Sequence, residues 1–187
     1  YYSFPDTALK YDYIDGKFLG ELYFSVTIKN SLSIVDKKEW IVEFVNDNPG
    51  NQFKKNLIGR KSFQLNSGQY QVEMLIKDMN DTINKASTSF DLIAKEFPNT
   101  KICLSDIELA QVISSKSDTV KWSDIFYKNT LYVIPNPSLL IADSRPVINA
   151  YTEIYNSKRI SPTGFVIKYK IFDGLKREVL EYPKKRK

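Results

Sequence analysis

Two pairs of acids stand closest together in the chain: Asp78 with Asp81, and Asp106 with Glu108. Two carboxylates facing one cleft are what glycoside hydrolysis requires. The oxygens of Asp78-Met79-Asn80-Asp81 are also of the type that ligates calcium. Neither chemistry fits the surrounding pattern. Asp106 and Glu108 are two apart on an extended stretch with Ile107 and Leu109 opposite, which reads as the solvent side of a strand. The Asp78–Asp81 segment lacks the longer loop and the distal bidentate acid of a calcium loop, and it reads as a hairpin turn.

The remaining catalytic equipment is missing. The chain has no histidine, which removes the commonest general base, the usual triads and most zinc sites. A single cysteine, Cys103, builds neither an internal disulfide nor a thiolate cluster, and its setting in Ile102-Cys103-Leu104 is that of a buried small hydrophobe. Seven glycines leave little room for a phosphate loop, and no Gly-x-Ser-x-Gly elbow occurs. The expectation is a protein that is not an enzyme and uses no cofactor and no metal.

Binding chemistry is better represented. Tyr1, Tyr2, Tyr11 and Tyr13 cluster near the start, and Tyr11 and Tyr13 share one face of an extended chain. Such rings can form a carbohydrate platform, or they can cover one sheet of a small sandwich with the hydroxyls left in water. Trp40 alternates with Val42 and Phe44 and reads as a core residue; Trp122 reads as packing too. The formal charge of +5 arises from 27 basic and 22 acidic residues. These alternate along most of the chain, so no nucleic-acid surface is expected. The one dense cluster is Lys184-Lys185-Arg186-Lys187. No apolar run is long enough for a membrane span.

The elements that must position these residues are strands. Leu22, Phe24, Val26 and Ile28 alternate with polar neighbours, as do Tyr70, Val72, Met74 and Ile76. A period of two marks antiparallel strands with one buried face, and an aromatic content of 13% fits a pleated surface. Further strands are expected at Glu39–Asn46, Lys54–Leu65, Lys85–Ile93, Ile102–Val112, Leu131–Ile134, Val147–Asn156, Gly164–Phe172 and Arg177–Tyr182. Turn residues separate them at Asn46–Gly50, Asn66–Gly68, Asp78–Asp81 and Asp173-Gly174. The one stretch with a helical leaning is Ser114–Phe126, where a single turn is expected.

The fold class read from this pattern is all-β: two tandem immunoglobulin-like or fibronectin III-like sandwich domains, residues 1–97 and 98–187. The boundary is placed at Lys95-Glu96-Phe97-Pro98-Asn99-Thr100. An internal repeat supports it. Ile28-Lys29-Asn30-Ser31 precedes Glu39–Val45, and Ile154-Tyr155-Asn156-Ser157 precedes Gly164–Lys170. The first copy continues through Gly68-Gln69-Tyr70 to Ile93, whereas the second stops at Lys187. The second domain is therefore expected to lack its closing strands. An open edge would remain near Gly164, Val166, Lys168 and Lys170, to be completed by a longer parent chain or by a protein partner. The first residue, Tyr1 rather than Met, fits the same expectation.

Several segments resemble the β-sandwich region of bacterial proteins named for a GWxTD motif. Asn66-Ser67-Gly68-Gln69-Tyr70-Gln71-Val72-Glu73-Met74, ending in Lys77-Asp78, resembles that family's Gly-x-Tyr strand with its aspartate turn. Leu104–Ala110, Ile134-Pro135-Asn136-Pro137 and Tyr151–Asn156 resemble later stretches in the family's order. The namesake motif is absent, because neither tryptophan follows a glycine, so no activity of the namesake domain carries over. The resemblance implies an exported protein of the periplasm or cell surface, with a longer parent chain. Residues and resemblance together point to a structural or protein-interaction module that binds through sheet edges or end loops, with a carbohydrate-binding accessory module as the alternative.

Overall fold

The computed structural model describes residues 1–46, 56–115, 124–139, 141 and 147–186. Its strands are β1 (Tyr2–Pro5), β2 (Asp12–Ile14), β3 (Lys17–Lys29), β4 (Ile34–Asn46), β5 (Asn56–Gly59), β6 (Gly68–Asp78) and β7 (Lys85–Ala94), then β8 (Cys103–Leu104), β9 (Glu108–Ser115), β10 (Tyr127–Lys128), β11 (Leu131–Pro135), β12 (Asn149–Tyr151), β13 (Ile154–Tyr155), β14 (Val166–Phe172) and β15 (Glu178–Arg186). Short 3-10 turns cover Asp6–Ala8 and Asp124–Phe126, and one turn of helix, α1, covers Ser157–Ile160. The strand pairs are antiparallel and the protein is all-β and sandwich-like.

The chain divides into two compact units. One comprises Tyr1–Glu96 with Leu109–Asn149, and the other Phe97–Glu108 with Ala150–Lys187. The chain thus crosses between units three times, where the sequence reading draws one boundary after residue 97.

In the first unit, β3 is bracketed on both edges. The same residues that pair with β4 also pair with β6, as Phe24 does with Trp40 and with Ile76. β7 lies outside β6, and β2 pairs with the start of β3. Alternation does its expected work in β3, where Leu22, Phe24, Val26 and Ile28 are buried while their neighbours are only partly so. The ribbon of β1 and β5 forms the second layer over this face. Tyr2 packs on Phe24 with ring centres 4.6 Å apart, and Phe4 meets Phe44 edge-on at 5.4 Å. Gly59 permits this approach: it pairs with Tyr2, whose ring occupies the space a Cβ would need. The opposite face of the sheet is polar, with Lys29 bonded to Glu73 at 2.7 Å and Lys37 to Glu39 at 2.8 Å.

A second sheet has the order β10-β11-β9-β12. Its centre is β11, where Tyr132, Val133, Ile134 and Pro135 are all buried. Four consecutive buried residues mean that both faces of this strand are covered.

Five expectations change in the structure. Among the described residues of the Lys54–Leu65 strand, the ladder covers only Asn56–Gly59; Phe63 and Leu65 still pack on the core without pairing. The Ile102–Val112 strand is broken between Leu104 and Glu108, and the Val147–Asn156 strand between Tyr151 and Ile154. Asp106 is exposed and Leu109 half-buried as expected, but Ile107 is 70% exposed and Glu108 half-buried, so the alternation fails at those two residues. The two halves of the proposed repeat also pair differently: β3 pairs with β4, whereas β13 pairs with β8 and β14 with β15. Trp122, most of the Ser114–Phe126 stretch, the Asp47–Gly50 part of the first turn, and Lys187 lie outside the described residues.

Candidate functional site

The acidic turn after β6 is held from within. The Asp78 side chain is 2% exposed. Its Oδ1 accepts the Asn80 N–H at 3.0 Å. Its Oδ2 accepts the Lys10 N–H at 2.8 Å and an Asn84 amide hydrogen at 3.3 Å. Asn80 donates onward to the carbonyls of Lys10 and Leu19, and Asn84 to that of Ala8. Asp81 caps its own turn by accepting from the Ile83 N–H. N–H donors converge on Asp78, so its carboxylate is satisfied without a cation. Among the described residues no group of three or more His, Cys, Asp or Glu stands ready to hold a metal ion.

The second unit has its own polar centre, one that the sequence reading passed over. Tyr151 donates its hydroxyl to Glu153 Oε1 at 2.9 Å, and Tyr155 donates to Oε2 at 2.6 Å. The bond to Glu153 pushes the Tyr155 hydroxyl up to about 12, because the phenol loses its acceptor and meets a like charge if it ionises. The backbone of Glu153 is fixed as well. Its N–H donates to Ser105 Oγ at 2.8 Å, and its carbonyl accepts the Ser105 N–H at 2.9 Å. These bonds replace ladder pairing where the two strands break. Asn156, in the left-handed region at φ 63°, donates to the carbonyls of Pro98 and Lys101. Tyr151, Glu153 and Tyr155 alternate in sequence, a spacing that puts three side chains on one face of an extended chain.

The two tyrosines of the proposed aromatic platform differ in setting. The Tyr11 ring is half-buried against Gly20. Tyr13, on β2, is 66% exposed and leans on Phe18 at 4.9 Å with the rings tilted by 52°.

The four residues of the expected docking edge lie at and just before β14. Gly164 precedes the strand at φ 113°, and its carbonyl accepts from Ser161 Oγ at 2.6 Å. Val166 opens the strand opposite Arg186. Lys168 falls at a register shift between Ile167 and Tyr169, and Lys170 is paired with Glu178 at 2.8 Å. Among the described residues β14 pairs with β15 alone, in a two-stranded sheet. All seven of its side chains are exposed, among them Val166, Ile167, Tyr169, Ile171 and Phe172. The hairpin that joins the two strands is well made: Asp173 accepts from the backbone N–H groups of Leu175 and Arg177 and from Arg177 Nε at 2.7 Å. Those bonds, the Arg177 N–H foremost, hold its carboxyl below the usual carboxylate range.

Together these features define the class of protein as an antiparallel all-β chain of sandwich-like build. No protein-family model matches it, and neither a curated protein nor a solved structure is significantly similar to it. No helix among the described residues is long and apolar enough to cross a membrane.

Proposed function

We propose that the chain is a non-catalytic structural and protein-interaction module of an exported bacterial protein, docking through sheet edges. The observation that carries this reading is β14. A two-stranded ribbon is marginal in water by itself. This one carries Val166 and Phe172 on one face and Ile167, Tyr169 and Ile171 on the other, all exposed. Apolar side chains on both faces of a strand gain nothing from folding unless a further surface covers them. A partner strand or a partner's apolar face supplies that cover, with Lys168 and Lys170 at its rim.

Two further points support the reading. One of the two acid pairs that a hydrolase could use is committed to a turn: Asp78 is sealed beneath N–H donors, and Asp81 caps its own loop. The ordered likeness of segments between Ser67 and Asn156 to the sandwich region of GWxTD-motif proteins supports an exported setting.

Site-specific photo-crosslinking in the producing cells tests it. A photoreactive side chain at position 169 should trap a discrete protein partner, and the same group at Glu43, on the polar side of β4, should not. Absence of an adduct from position 169, or the same adducts from both positions, would overturn the proposal.

A further inference from the structure

The five-stranded sheet of the first unit has two edges, built differently. β4 carries Asp36, Lys37, Lys38, Glu39 and Glu43, and its ladder with β3 is irregular at Ile28/Lys29. Charges and irregularities are how natural edges are protected from pairing with other chains. β7 has less of this protection. Its ten residues pair with β6 in unbroken register from Lys85 to Ala94. The sequence Lys-Ala-Ser-Thr-Ser-Phe-Asp-Leu-Ile-Ala contains no proline and two charges, Lys85 and Asp91. Among the described residues no other strand pairs with its outer edge.

We infer that β7 pairs edge to edge with β7 of a second copy, antiparallel, about a two-fold axis through Thr88. The charges select this register. With Thr88 on the axis, Lys85 of each copy stands opposite Asp91 of the other. Ser87 then faces Ser89, and Ala86 faces Phe90. Moving the axis one residue either way sets Lys85 against Ser89 or Ile93 and leaves both charges unmatched. Within one chain Lys85 lies directly opposite Lys77, a like-charge pair, and no ion pair among the described residues engages Lys85 or Asp91. The second copy supplies the missing countercharge.

The other row agrees. Phe90 lies opposite Val72 on the core side of the sheet, yet it is 48% exposed. In the proposed register the small Ala86 of the second copy sits opposite this exposed ring, so a large residue faces a small one on each side of the axis. A two-fold axis perpendicular to the sheet keeps core-side rows together and polar rows together, and the two sheets become one. The surface lies wholly in the first unit, and its failure would leave the reading of β14 untouched.

Charge reversal tests the register. In sedimentation equilibrium the chain should dimerise at high-micromolar concentration. Lys85→Glu or Asp91→Lys alone should weaken the dimer roughly tenfold, since each sets two like-charge pairs across the axis. The double variant should restore it. In a Cys103→Ser background, Thr88→Cys should form a disulfide-linked dimer under mild oxidation, because residue 88 faces itself at about 5 Å between Cβ atoms; Lys85→Cys should not. A chain that stays monomeric, or a dimer indifferent to the single reversals, would refute the inference. A dimer that Thr88→Cys fails to link would refute the register.

Discussion

The backbone N–H of Lys10 donates to Asp78 Oδ2 at 2.8 Å, joining residues 68 apart in sequence. With Asn80 and Asn84 completing the network, this bond fastens the segment after β1 to the turn between β6 and β7. The arrangement gives a clear expectation. Asp78→Ala would leave the N–H groups of Lys10 and Asn80 and the Asn84 amide without their acceptor in a partly buried site. Hydrogen bonds to a charged acceptor are worth about 1.5–3 kcal/mol each before relaxation and water offset part of the loss. Urea denaturation should therefore show a loss of about 2–4 kcal/mol, and Asp78→Asn should lose less because one acceptor oxygen remains.

The core rests on an aromatic stack. Phe24 is fully buried; its ring lies parallel to Trp40 at 5.0 Å, with 3° between planes, and Tyr2 packs on it at 4.6 Å. Phe24→Ala should cost about 3–5 kcal/mol, the range for truncating a buried aromatic. Phe24→Leu should cost clearly less. In a Trp122→Phe background, Trp40 fluorescence reports the stack, and its emission should shift to the red in Phe24→Ala.

Much of this architecture can be read from residue order, for a definite reason. Alternation in Leu22–Ile28 and Tyr70–Ile76 reports which side chains are buried, and burial follows directly from hydrophobicity. It does not report backbone pairing. Phe63 and Leu65 alternate like strand residues and do pack on the core, yet they lie outside the ladder. The pairing of β1 with β5 joins segments more than fifty residues apart and depends on Gly59 leaving room for Tyr2, which no local pattern announces. The breaks at Ser105 and Thr152 were illegible for a similar reason. Ser105 and Glu153 stabilise them by reciprocal hydrogen bonds that exist only once the fold brings them together. Of the docking edge, Val166, Lys168 and Lys170 lie on β14, and the mate of that strand, β15, takes up one of its edges.

Tyr155 carries the pH expectation. Its folded-state pKa is raised from 10.0 to about 12, first by the hydrogen bond to Glu153. For a group raised in this way, the stabilisation is fully present below the unfolded value and is lost as pH climbs from 10.0 through about 12. Tyrosine ring resonances followed by NMR should show Tyr155 ionising after the exposed tyrosines. Glu153→Gln should return it toward 10.0. An unchanged titration in that variant would break the assignment of the shift to Glu153.

Amide hydrogen exchange across the whole chain bears most directly on the claim that β14 is built to be covered from outside. β3 is paired on both edges and buried along one face, so its amides between Leu22 and Ile28 should be among the last to exchange. The amides of Val166–Phe172, in a ribbon of two strands with every β14 side chain exposed, should exchange orders of magnitude faster in the isolated chain. Protection of β14 equal to that of β3 would mean that the chain already covers this strand itself, and would contradict the account.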